Sequence, residues 1–222
     1  MASLKSLKSR SAMICRILES NYPNVKTQLN HNNPFELLVA TILSAQCTDR
    51  QVNQVTGKLF ERFKTPADFA AAPVKEVEKL VYSTGFFRNK SRHVIHCARE
   101  IQSRHNGRVP GSLDELVALP GVGRKTANVV LGVIFGIPGI VVDTHVGRIS
   151  QRLDLTENKD PVKIEFDLMR VVEKKDWNDF SLRLIYFGRQ FCKAVKPECP
   201  TCPMMSFCRN RGLRKKSIEK TG

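Results

Sequence analysis

The sequence predicts an all-α fold, and three observations predict it. Apolar residues recur at helical spacing along nearly the whole chain. Strand-like alternation is almost absent: only Ile140-Val141-Val142 is β-prone, and three residues do not make a sheet. Connections are short, with no internal repeat, low-complexity segment or composition shift to mark a linker. At 222 residues, 41% hydrophobic and 26% charged, the chain has a soluble globular composition and enough length for one large domain or two modest ones.

Met13, Ile14, Ile17 and Leu18 form the first apolar stripe. Asn33-Pro34-Phe35-Glu36 reads as a helix start: Asn caps, Pro suits the first turn, and Glu sits where it can close a capping box. Phe35, Leu38, Val39, Ile42 and Leu43 give that helix a buried face. Val52, Val55, Leu59 and Phe60 line a second helix. Pro66 and Pro73 each open a short one, the latter carrying Val77, Leu80 and Val81 and stopping at Gly85. Val94, Ile95, Ala98 and Ile101 mark the next, which ends near Asn106-Gly107. A capping box at Ser112-Leu113-Asp114-Glu115 starts a short helix through Leu119.

Lys plus Arg number 36 against 21 acidic residues, a formal net charge of +15, which suggests a polyanionic partner, nucleic acid before an anionic membrane surface. The excess is uneven: +4 lies in residues 1–16, +5 in residues 209–222 and +6 between them. Such tails are often only solvated ends, so the charge alone proves little. A membrane span is disfavoured, because Val129 to Val142, the longest apolar stretch, has 14 residues and is broken by Gly132, Gly136, Pro138 and Gly139. No signal-peptide pattern is visible. The acid-free, Ser-rich start has a weak transit-peptide character, outweighed by the stripe that folding would use.

Pro120-Gly121-Val122-Gly123 turns the chain, and Arg124-Lys125-Thr126 begins a helix with Ala127, Val130, Leu131 and Ile134 on one face. A P-loop fails here: Arg124 stands where the Walker motif needs glycine, and the preceding element is a helix. A dinucleotide fingerprint fails on the same missing strand. Two readings stay open, a tight αα-hairpin whose glycines only relieve sterics, and a hairpin whose amides hold a phosphate. Lys125 would lie in the first helical turn beside Arg124. The positive end of the helix dipole and Arg124 would both lower an amine pKa that is ordinarily about 10.4, and a dry pocket would lower it further. A solvated lysine is the plain alternative. Asp143, in Val141-Val142-Asp143-Thr144-His145, is a natural N-cap for Thr144–Leu153; a catalytic carboxylate is the competing role.

Of seven cysteines, Cys15, Cys47 and Cys97 are scattered. Cys192, Cys199, Cys202 and Cys208 form C-x6-C-x2-C-x5-C among Pro197, Pro200 and Pro203. This argues for a metal site over disulfides. Chemistry alone leaves zinc and an iron–sulfur cluster both open.

The string Leu119-Pro-Gly-Val-Gly-Arg-Lys-Thr-Ala-Asn128, the Val-Asp-Thr-His segment 18 residues after Lys125, and the cysteine spacing together resemble the endonuclease III family of helix-hairpin-helix DNA glycosylases, over roughly residues 10 to 210. The resemblance implies a two-lobed all-α glycosylase fold with a C-terminal [4Fe–4S] loop held by Cys192, Cys199, Cys202 and Cys208. It implies residues 27–137 as the hairpin lobe, residues 1–26 with 138–213 as a discontinuous cluster lobe, and 214–222 as a disordered basic tail. DNA would lie between the lobes, with Lys125 as nucleophile and Asp143 as its partner. Gly121, Val122, Gly123 and Arg124, with Lys193 and Lys196 of the cluster loop, would contact the backbone. Gln46 would fill the gap left by a flipped base, and Phe86 would wedge the opposite strand. Core packing competes for Phe86, Phe87 competes for the wedge, simple solvation competes for the two loop lysines, and helix packing competes for His145. The implied activity is glycosylase and abasic-site lyase chemistry on oxidised pyrimidines. A pyrimidine-dimer or mismatch glycosylase, and a non-catalytic iron–sulfur DNA-binding protein, are the alternatives. The expected partner is double-stranded DNA with damaged bases or abasic sites. The expected state is a monomer, free of membranes, in the cytoplasm or a bacterial nucleoid. One departure is visible: Phe187, in Tyr186-Phe187-Gly188-Arg189, stands where the family often has His.

Overall fold

A computed structural model describes residues 3–208 of the chain. The basic tail 214–222 lies outside the described residues. Every regular element among the described residues is helical, and Ile140-Val141-Val142 is extended but unpaired as a strand. The chain divides into two compact units, Thr27–Ile137 and Met1–Lys26 with Pro138–Gly222. No helix is long and apolar enough to cross a membrane, among the described residues.

The unit of residues 27–137 holds α2 (Pro34–Leu43), α3 (Asp49–Arg62), α4 (Pro66–Ala71), α5 (Val74–Val81), α6 (Phe87–Arg104), α7 (Leu113–Val117) and α8 (Arg124–Phe135). α2 is buried along nearly all its length, whereas α6 buries only one stripe, with Val94, Ile95, Ala98 and Ile101 in it. Phe69 of α4 makes edge-on contact with Phe35 at 5.2 Å between ring centres, one of many such contacts in a single apolar core. Each Leu, Ile or Phe fully buried there contributes about 1.5–3 kcal/mol.

Caps set the starts. Asn33 accepts the Glu36 amide at 2.9 Å and Thr65 closes a full capping box with Asp68. The boxes expected at Glu36 and Ser112 are each half made. Both cap side chains accept the amide three residues on, but the carboxylates do not return to the cap backbone. Glu36 instead accepts the Asn32 amide at 2.6 Å, and Glu115 accepts the Ser112 hydroxyl at 2.5 Å. Pro73 stands just outside α5 rather than in its first turn, and a 3₁₀ turn, Tyr82–Thr84, comes between α5 and Gly85.

The other unit holds α1 (Leu4–Asn21), α9 (Thr144–Arg152), α10 (Pro161–Val171) and α11 (Trp177–Gln190). Ile14 and Leu18 of α1 share one core with Val146 and Ile149 of α9, Ile164 and Leu168 of α10, and Phe180 and Leu184 of α11. That apolar sharing is why a helix at the start of the chain belongs with its end. Phe187 is in this core, its ring 5.5 Å from that of Phe191. The extended segment before α9 finds its hydrogen bonds on α11: the Gly139 amide donates to Asn178 and the Val141 amide to Ser181, each at 2.9 Å.

Candidate active site and cysteine loop

The glycine hairpin joins α7 to α8. The Val122 amide donates back to Leu119 at 3.1 Å, and Val122 drives its side chain into the core. Gly121 has φ +79°, and a Cβ there would stand 2.6 Å from that of His93. Gly121 is therefore demanded by the fold twice over, by backbone conformation and by the close approach of α6. Gly123 differs: its φ is −89° and a Cβ would meet nothing. Gly123 is the N-cap of α8 and offers no side chain to the first amides of the helix, which have no partners within it.

Lys125 lies in that first turn, exposed, with no hydrogen bond or ion pair among the described residues. The dry pocket expected around its amine is not supplied by its own unit. Arg124 beside it is half-buried.

Asp143 does cap α9. Its Oδ1 accepts the amides of both His145 and Val146 at 2.8 Å, and Oδ2 takes no part in the cap. One carboxylate thus has room for both roles considered from sequence. His145 meets Arg148 at 3.1 Å and packs against Gly188 of α11, where a Cβ would run into its ring.

Gln46 and Phe86 share an unusual feature. Both are exposed and both are left-handed, at φ +52° and +48°. For a bulky residue such as Phe that conformation is an outlier worth about 1–3 kcal/mol. Core packing does not account for Phe86, which is 65% exposed. Phe87 is half-buried against the core and Tyr82, 4.8 Å between ring centres.

The cysteine loop leaves α11 at Cys192 and is gripped by α9. Arg148 donates to the Cys192 carbonyl at 3.2 and 2.8 Å. Arg152 donates to Cys192 Sγ at 3.2 Å and to the Lys193 and Ala194 carbonyls. All four cysteines are half-buried free thiols. Burial pushes the Cys202 thiol up, a hydrogen bond from Met204 opposes this, and the sulfurs of Cys192, Cys199 and Cys208 push it up further. No three His, Cys, Asp or Glu side chains converge as ligands of a single ion among the described residues. Lys196 is exposed and left-handed at φ +52°, while Lys193 is not merely solvated: its ammonium pairs with Glu198 at 3.1 Å.

Two features escaped sequence reasoning. The Arg148–Arg152 clamp joins residues some 40 positions apart, with no local signal. Lys90 is 4% exposed on the inner face of α6, where its spacing, three after Phe87 and four before Val94, was the available clue.

An all-helical scaffold that presents a glycine hairpin, an uncapped helix start and a lysine in its first turn defines the class to which the molecule belongs. The chain belongs to the HhH-GPD superfamily of base excision DNA repair proteins, whose family model matches residues 39–174. It is 47% identical to the Endonuclease III of Synechocystis sp. over 209 residues, 94% of this chain and 95% of that one. It is 50% identical to the Endonuclease III of Bacillus subtilis over 196 residues, 88% and 90% of the two chains. A solved structure of a trapped Endonuclease III–DNA covalent intermediate superposes with a TM-score of 0.91 at 43% identity, covering 97% of this chain and all of that one. A thermostable thymine-DNA glycosylase, TM-score 0.81 at 22% identity over 92% and 98% of the chains, shares the fold.

Proposed function

We propose that this protein is a bifunctional DNA N-glycosylase and abasic-site lyase of the endonuclease III type, acting as a cytoplasmic monomer on oxidised pyrimidines in double-stranded DNA. The observation that carries the reading is Lys125, unengaged in the first turn of an uncapped helix directly after a glycine hairpin. Those amides suit a phosphate. The backbone of Gly121 to Gly123, with Arg124, is assigned to it, and Lys193 and Lys196 to a second stretch of backbone. Lys193 must first exchange Glu198 for phosphate.

In this reading Lys125 attacks C1′ as the neutral amine and the base departs with the glycosidic electron pair and takes a proton; the C1′–O4′ bond then opens, O4′ taking the proton that the amine gives up, and the lysine becomes a Schiff base. Loss of the C2′ proton then expels the 3′ phosphate by β-elimination, and water releases the lysine. The exposed amine must be dried by the DNA itself, which lowers its affinity for a proton. Asp143 is assigned the opposing charge: with Oδ1 held by the cap, Oδ2 serves the positive charge that grows as the base leaves. Gln46 and Phe86 are assigned to the gap and the wedge.

Cys192, Cys199, Cys202 and Cys208 supply the donor set of an iron–sulfur cluster: four half-buried free thiols on one loop. We assign them as ligands of a [4Fe–4S] cluster, whose iron–thiolate bonds would anchor the loop that carries Lys193 and Lys196.

Two expectations separate fold from function. Asp143→Asn keeps a good N-cap, so melting should hardly move, while single-turnover base release falls about 10²–10³-fold; an unchanged rate would leave the cap as its whole purpose. Gly121→Ala should destabilise the protein by about 1–3 kcal/mol. Gly123→Ala should leave melting alone and weaken DNA affinity in an anisotropy titration, because its Cβ enters open space beside the first amides of α8. Unchanged affinity for Gly123→Ala would remove the phosphate from the hairpin. A panel of oxidised pyrimidines, pyrimidine dimers and mismatches, scored for base release and for nicking, tests the whole reading. Oxidised pyrimidines are expected to lead on both counts, and binding without release would overturn it.

A further inference from the structure

We infer that Lys90 is a positioning residue that fixes the loop carrying Phe86, so that the ring is held ready to enter the duplex; the inference rests on the glycosylase reading above. Lys90 is 4% exposed, and its ammonium donates to the Thr84 carbonyl at 2.7 Å in buried surroundings. Thr84 ends the 3₁₀ turn that leads through Gly85, φ +68°, into Phe86. The Phe86 carbonyl accepts the amides of Asn89 and Lys90 at 3.1 and 3.0 Å, so the strained residue is gripped from both sides by α6.

The loop of Gln46 closes on itself, through the Cys47 amide on the Ser44 carbonyl at 3.0 Å. One exposed tie links the two segments: Gln51, on the helix that follows Gln46, donates to Ser83, the neighbour of Thr84, at 2.8 Å. Lys90 therefore fixes the Phe86 segment from inside, at the residue next to that tie. Burial is costly for an ammonium and pushes Lys90 below the usual lysine range. An apolar side chain of the same length would avoid that cost at this inner position of α6, but could not hold a main-chain carbonyl. The Thr84 carbonyl would then be buried and unpaired, and Phe86 would lose its support.

The placing of Phe86 matters when a base must leave the stack, and matters less when no base is present. The test therefore compares base release from a lesion duplex with nicking of a preformed abasic site, and follows extrusion by 2-aminopurine fluorescence next to the lesion. Lys90→Met should slow extrusion and base release at least about tenfold while abasic nicking stays within about twofold. In a Phe86→Ala background, Lys90→Met should add little, because it acts through Phe86. Equal losses in the two steps, additive effects of the two substitutions, or no loss would overturn the inference. If Lys90→Met fails to melt cooperatively, Lys90→Gln carries the same comparison, with the same outcomes for and against. Native protein inactive on both substrates would sink the glycosylase reading itself. Native protein active on both, with Lys90 variants that do not discriminate between them, would sink this inference alone.

Discussion

Lys125→Ala is expected to lower both base release and strand cleavage by at least about 10³-fold, with melting unchanged and DNA affinity reduced only slightly. The side chain is exposed and makes no hydrogen bond or ion pair among the described residues, so nothing in the fold depends on it. Alanine is also the best helix former and suits the first turn of α8. What is removed is one amine. The amides of the hairpin and Arg124 remain for phosphate, so the variant should still bind lesion DNA. A variant that cleaves at near the native rate would mean that another group is the nucleophile. A variant that neither binds nor melts cooperatively would give Lys125 a structural part that its exposure does not support.

Cys202→Ser is expected to have the second largest effect. Cys202 is one of the four thiols assigned to the cluster, half-buried in the middle of the loop. Metal sites of this kind contribute folding energy directly, with apparent binding of about 10–16 kcal/mol for structural zinc peptides as a guide to scale. The native protein should be yellow-brown with broad visible absorption. Cys202→Ser should lose that colour and its iron, become cleavable by protease within residues 192–208, and bind DNA at least about tenfold more weakly. The Arg148 and Arg152 contacts to Cys192, Lys193 and Ala194 remain, so the loop should loosen from its far end. A colourless native protein containing zinc would return the assignment to zinc.

How much of this was legible depended on how local each cause is. Asn33, Ser112 and Asp143 were readable as helix starts because a cap involves only the next three residues. The hairpin was readable because two glycines, a lysine and the helix after them lie within a few positions. Even there, the carboxylates of Glu36 and Glu115 found nearer partners than the cap backbone, a choice between hydrogen bonds that a motif does not rank. Phe86 and Phe87 were indistinguishable in sequence; a left-handed backbone at Phe86 decides which ring goes out and which goes in. The different needs of Gly121 and Gly123 appear only with His93 in place. Lys90 was hidden for the same reason: a charged residue on an apolar stripe reads as an interruption until the carbonyl it serves is known.

Borohydride trapping tests the central claim most directly. Reduction of a reacting mixture of protein and lesion duplex converts a lysine Schiff base into a stable secondary amine. Digestion and mass spectrometry then locate the residue that carries the sugar. The prediction is one adduct per protein, on the peptide containing Lys125, and none with Lys125→Ala. An adduct on another lysine, an equal yield from Lys125→Ala, or strand cleavage with no trappable adduct would contradict it.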